Sequence, residues 1–314
     1  MRSSKNKVNN AGGKLLLCLA AFAVLIAVCV MGTQLEQELQ MQEQEHLANE
    51  NSQGETVYLF PLTDADCSVS GDNGTLISLE KAADPLTDTV LIDRGGTYIL
   101  EGSLEGSILV DAQDQLVHLI FQGVDISSKN GSALAVRSAG KAVITLADGT
   151  VSTLRDTSDY DKAADENSCI YSECDLTING TGSMNVHGYY KDAIHTKDTL
   201  KILDCSLVLQ AKREAARGND GMLLKDASVD IQCENTGLYT KNDGRNNRGC
   251  IQITGSQVGI IAGEYGIAAA VDLHIQDSEV HLKGIISDME VLGTAYIEDG
   301  ALKEQAFTEG EALP

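Results

Sequence analysis

A unit of about 22 residues recurs between Asp192 and Asp277 and limits what the chain can fold into. Leu200-Lys-Ile-Leu-Asp204 aligns with Met222-Leu-Leu-Lys-Asp226, Ile251-Gln-Ile-Thr-Gly255 and Leu273-His-Ile-Gln-Asp277. Before the closing Asp or Gly, apolar residues stand two apart: Leu200 and Ile202, Met222 and Leu224, Ile251 and Ile253, Leu273 and Ile275. After it come Leu207 and Leu209, Val229 and Ile231, Val258 and Ile260, Val280 and Leu282. A two-residue spacing places side chains on one face of a strand, so each unit reads strand, tight turn, strand. Repeats of this length built from strands alone predict a β-solenoid.

The same pairs precede Gly102 (Tyr98, Leu100), Gly123 (Leu119, Phe121), Asp148 (Ile144, Leu146) and Gly180 (Leu176, Ile178). The longer intervals carry polar insertions around 127–140, 155–170 and 242–249, expected as loops on the solenoid's flank. The fold class expected is all-β: a right-handed parallel β-helix with three short sheets over residues 54–284. Residues 55–96 are irregular and 285–314 acidic, which suits caps at the two ends, since terminal repeats must cover the core. Thirty Gly and 4% aromatic residues fit many short strands joined by tight turns.

Ahead of this domain, residues 1–14 are basic, and Leu15–Gly32 is an uncharged apolar run just long enough to cross a bilayer. A transmembrane signal anchor over 15–33 is expected, with the β-helix outside the cytoplasm at the cell membrane. Secretion after signal-peptide cleavage is the alternative. Residues 34–53 form a Gln/Glu-rich helical stalk. The net charge of −23 argues against nucleic acid as a partner. Eight Cys show no CxxC or Cys/His metal spacing, and the six outside the apolar run are read chiefly as small buried hydrophobes.

A third strand lies between successive units. Asp192-Ala-Ile-His-Thr-Lys-Asp198 aligns with Glu214-Ala-Ala-Arg-Gly-Asn-Asp220 and Thr236-Gly-Leu-Tyr-Thr-Lys-Asn242. If Ile194, Ala216 and Leu238 point inward, His195, Arg217 and Tyr239 point out, about 4.8 Å apart. Lys197, Asn219 and Lys241 form a second outward column. Such a ridge can pair with uronate carboxylates and pack a sugar ring, although polar ladders also arise wherever a solenoid surface must be solvated. At the strand ends stand Asp192 with Glu214, and Asp198 with Asp220 and Asn242. Stacked carboxylates repel, and a shared Ca²⁺ would relieve that.

The run Tyr190-Lys-Asp-Ala-Ile-His-Thr-Lys-Asp-Thr-Leu-Lys-Ile202, followed by Arg217-Gly-Asn-Asp-Gly-Met222, resembles the bacterial carbohydrate-binding β-helix domain of exported proteins. The resemblance spans roughly residues 55–285. It implies a pectate-lyase-like β-helix, calcium sites and binding of polysaccharides such as polygalacturonate or cellulose. The family's Asp-Gly steps stand here as Asp192-Ala193, Glu214-Ala215 and Thr236-Gly237, which thins the calcium ligands. Expected is non-catalytic binding of an acidic, pectin-like polysaccharide; the alternatives are a structural or adhesive scaffold and a polysaccharide lyase.

Overall fold

The computed structural model describes residues 59–158, 160, 166–243 and 248–303. The expected membrane-spanning helix 15–33, the basic residues before it, the stalk 34–53 and the acidic end from 304 lie outside the described residues. Among those described, no helix is long and apolar enough to cross a membrane.

The strands stack coil upon coil into three parallel sheets, ten-stranded, nine-stranded and nine-stranded. Sheet 1 contains Thr199–Leu203, sheet 2 Ser206–Ala211 and sheet 3 Asp192–Thr196. The register follows the aligned repeats: Leu200 pairs with Met222, Met222 with Ile251 and Ile251 with Leu273 in sheet 1. Leu207, Val229, Val258 and Val280 stack likewise in sheet 2, and Ile194, Ala216, Leu238 and Ile267 in sheet 3. All of these are buried in one continuous apolar core. The three-sheet β-helix architecture is therefore as the repeat predicts.

The turn between sheets 1 and 2 needs a left-handed residue, which explains its restriction to Gly and Asp. Gly102, Gly123, Gly180, Asp204, Asp226, Gly255 and Asp277 all have positive φ. In the third of the eight turns the left-handed residue is Gly149 rather than the expected Asp148. Glycine accepts this conformation without strain, so the turn settles one residue later where one is offered.

The two ends depart from expectation. Residues 59–96, the described part of the first irregular stretch, are not a simple cap. The strap from Leu59 to Ser70, which includes the short helix Asp64–Cys67, runs over the outer face of sheet 1. The Leu59 amide donates to Gln252 Oε1 at 2.8 Å, while Asn179 Nδ2 donates to the carbonyls of Asp66 and Ser68. Only later does the chain enter sheet 1 with Thr75–Ser78 and cover the core with Leu79, at the start of the helix Leu79–Ala82. At the other end the repeat does not stop at Gly284. Ser287–Val291, Ala295–Ile297 and Leu302–Lys303 each add a further strand to one sheet. Alternation survives there, but the apolar pattern is diluted by outward Ile285, Ile286 and Leu292.

The six described cysteines are all unpaired, and five of them are buried.

Candidate functional site

Sheet 3 brings the expected ridge together in register. His195 pairs with Arg217 and Arg217 with Tyr239, while Ala268 in the next coil ends the polar column. The column also begins one coil earlier than the sequence alignment placed it, since Tyr171 pairs with His195. Residues Ser168–Ser172 repeat the Asp192–Thr196 strand, and the preceding insertion hides this by breaking the period.

These side chains share a column but not an environment. His195 is buried, 4% exposed, with Nδ1 2.7 Å from Asn167 Oδ1 and Tyr171 edge-on at 5.7 Å. Its Nε2 is buried without a hydrogen-bond partner. Burial, reinforced by the Arg217 guanidinium, pushes its pKa down to about 4, so it is neutral at physiological pH. His195 therefore does not present a surface cation, as its outward position alone had implied; the residues around it close over the ring. Lys197 is bound 2.8 Å from Glu173 and lies 5.8 Å from the Tyr171 ring centre. Glu173 raises its pKa. Tyr171, buried and bonded to Glu173 through its hydroxyl, is pushed up to about 12.

The next two coils are more open. The Arg217 guanidinium lies 5.2 Å from the Tyr239 ring centre, and its Nε donates to Asn219 Oδ1 at 2.8 Å. Stacking and the Asn219 bond orient the planar fork, which carries five N–H donors in all. Lys241 is exposed beside it. The open part of the ridge is therefore Arg217, Asn219, Tyr239 and Lys241.

The flanking carboxylates divide sharply. At the start of the strand, Asp192 is fully buried and held by both Nε and Nη2 of Arg213 at 2.8 Å. Glu214 pairs with the same Arg213. Burial, and the competing Asp192, hold the Glu214 carboxyl above the usual carboxylate range. Asp192 and Glu214 are thus already neutralised by a side chain of their own surface and do not fit a cation site. At the far end, Asp220 binds Arg248 at 3.3 Å and the Asn242 amide. Burial, together with Asp175 and Asp220, raises the pKa of Asp198. Among the described residues, no group of three or more His, Cys, Asp or Glu is arranged to hold a metal ion.

Three parallel sheets stacked around one apolar core define a parallel β-helix protein, with a partly open polar ladder on the outer face of sheet 3. The family comparison narrows that class. A family model described as carbohydrate-binding domain-containing protein matches residues 87–303, and the chain belongs to that family. A relative of the same description from Acetivibrio thermocellus is 29% identical over 219 residues, 68% of this chain and 77% of the relative. Among solved structures, a polysaccharide lyase-like protein from C. thermocellum, studied as a gadolinium derivative, superposes with a TM-score of 0.69. It is 26% identical, and the match covers 73% of this chain and 98% of the other.

Proposed function

We infer that this chain binds an acidic, pectin-like polysaccharide without cleaving it, along the open part of the sheet 3 ridge. The observation that carries this is the Arg217 guanidinium stacked on Tyr239 and anchored by Asn219, with exposed Lys241 in the next coil. A fixed guanidinium can take a uronate carboxylate through two parallel hydrogen bonds, and Tyr239 offers a ring face for the sugar. The family description and the lyase-like neighbour support a polysaccharide ligand.

Catalysis is the weaker reading. A lyase needs a base poised near neutral pH to remove a proton beside the carboxylate. His195 is buried and its pKa is displaced well below neutrality, while Lys197 is moved the other way by Glu173.

For calcium assistance the better candidates are Asp198 and Asp220, although Arg248 already engages Asp220 at 3.3 Å, because Asp192 and Glu214 share the more enclosed Arg213. Asp198 is the carboxylate that its neighbours disfavour, and two protein carboxylates plus a uronate would supply hard oxygen ligands. We place the domain outside the cytoplasm, held at the membrane by residues 15–33.

Gel retardation in polygalacturonate, with and without chelator, tests the reading. Retardation of the intact protein is expected. Migration unchanged in acidic glycans would sink it and favour a scaffold role. Release of an ultraviolet-absorbing unsaturated product would establish a lyase instead.

A further inference from the structure

Asp156 follows the sheet 2 strand Val151–Arg155 and is buried at the corner that leads to sheet 3. Its two oxygens meet different partners. Oδ1 accepts from the Tyr189 amide at 2.5 Å, and Oδ2 lies 2.8 Å from the Tyr160 hydroxyl. That hydroxyl also lies 2.8 Å from the Ser168 carbonyl oxygen, which accepts from Ser132 Oγ at 2.6 Å. All four of Asp156, Tyr160, Ser168 and Ser132 are buried.

Counting hydrogens decides the protonation state. The Asp156–Tyr160, Tyr160–Ser168 and Ser132–Ser168 contacts each need a hydrogen, but the Tyr160 and Ser132 hydroxyls supply one apiece. A carboxylate and a carbonyl only accept, so a charged Asp156 would leave one close oxygen pair with nothing between them. A proton on Oδ2 fills the gap. Asp156 then donates to Tyr160, and Tyr160 and Ser132 both donate to the Ser168 carbonyl, which has two lone pairs. Oδ1 stays an acceptor, as the Tyr189 amide requires.

The surroundings agree. Among the described residues no cation pairs with Asp156: Arg155 is bound to Asp125, and Lys191 lies over the Tyr190 ring. His187, whose carbonyl accepts from the Asp156 amide, turns its ring to Gln210. The remaining titratable groups that face Asp156 are Tyr160 and, from the next strand, Cys169; burial raises the pKa of both. A charge here would be buried without compensation. Burial outweighs the hydrogen bonds and moves the Asp156 pKa up to about 7.

The bond chain ends on residues that shape the covered part of the ridge. Asn167, just before Ser168, holds His195 Nδ1, and Tyr171 of the Ser168–Ser172 strand packs edge-on against that ring. We propose that Asp156 is a neutral carboxylic acid in the folded protein and a pH-operated latch, its proton completing the chain Asp156–Tyr160–Ser168. Losing that proton turns the Tyr160 hydroxyl to the carboxylate and leaves the Ser168 carbonyl with Ser132 alone. The latch holds on the acid side and slackens as pH rises through neutrality, whatever the ridge binds.

A carboxyl that keeps its proton to higher pH folded than unfolded contributes its stability in full below the unfolded value near about 3.9. That contribution is lost as pH rises through the folded value. Urea unfolding of the full chain against pH, wild type beside Asp156→Asn, tests the latch. Asn mimics the neutral acid, since its amide donates to Tyr160 and its carbonyl accepts from Tyr189. The ratio of wild-type to variant unfolding constants cancels Glu214 and Asp198, whose carboxyls are also raised. It should climb about tenfold per pH unit between the unfolded and folded values, then level off. Amide exchange at Tyr171 and His195, corrected for its intrinsic pH dependence, should accelerate towards alkaline pH in the wild type and not in Asp156→Asn. The Asp156 carboxyl carbon resonance of labelled wild type should titrate near neutrality, a reading that needs no variant. A ratio independent of pH, a variant less stable than wild type above neutrality, a resonance titrating near about 4, or wild-type exchange unmoved by pH would each overturn the proposal.

Discussion

Two outer faces of this solenoid carry stacked charges, and they end differently. On sheet 1, Lys141 and Lys201 face outward, yet the strap lays Asp66 between them, at 2.5 and 3.0 Å. Thr177 and Thr63 complete the carboxylate's hydrogen bonds, and Asp66 is fully buried. Sheet 3 has a ladder of the same general chemistry, but nothing from the described chain covers Arg217, Tyr239 and Lys241 in the same way. An outward polar column is thus not by itself a binding site. One ladder is satisfied by the protein's own chain, the other only in part, and the part left open is where a ligand has room to act.

Breaking the closed side should have the largest effect. Asp66→Ala leaves Lys201 buried without its carboxylate, and loss of one partner from a buried pair costs about 3–5 kcal/mol. Denaturant unfolding would register this as a lower midpoint; a change of only a few tenths would mean that the strap contributes little. On the open side, Arg217→Ala should weaken acidic-glycan binding by about 1.5–3 kcal/mol, the size of a charge-assisted hydrogen bond. Its folding stability should stay within about 0.5 kcal/mol, as for other surface substitutions.

The two sides should also separate in acid. Burial works to raise the Asp66 pKa, but bonds from Lys141, Thr177 and Thr63 overcome it and hold the carboxyl well below its usual range. The stability from this group is therefore full above the unfolded value near about 3.9 and is lost as pH falls from there through the depressed folded value. Asp66→Asn should flatten unfolding stability in that acid window, whereas Arg217→Ala should keep the wild-type slope. The smallest effect expected is that of a chelator: if calcium bridges Asp198 and Asp220 to the glycan, its removal should weaken retardation less than Arg217→Ala does. An equal or larger loss would shift the main contact from the guanidinium to the metal.

Much of this was legible in the repeat. The inward columns and seven of the eight left-handed turns follow from apolar pairs and Gly or Asp alone, because a solenoid repeats its local physics in every coil. The strap was not legible, since Asp66 meets Thr177 and Lys201 across more than a hundred residues and belongs to no repeat. Tyr171 was hidden by the insertion ahead of it. His195 was placed on the right column but not seen to be covered, because burial on an outer face depends on the loop residue Asn167 and on the rings around it. Likewise Arg213, which neutralises Asp192 and Glu214, lies just outside the aligned strand.

The central claim is that the open ladder, and not the closed one, meets the glycan. The most direct measurement compares polygalacturonate retardation of the wild type with that of Arg217→Ala/Tyr239→Ala/Lys241→Ala, alongside melting curves of both. Retardation should vanish in the triple variant while its melting temperature stays close to that of the wild type. Undiminished retardation in a folded triple variant would contradict the claim.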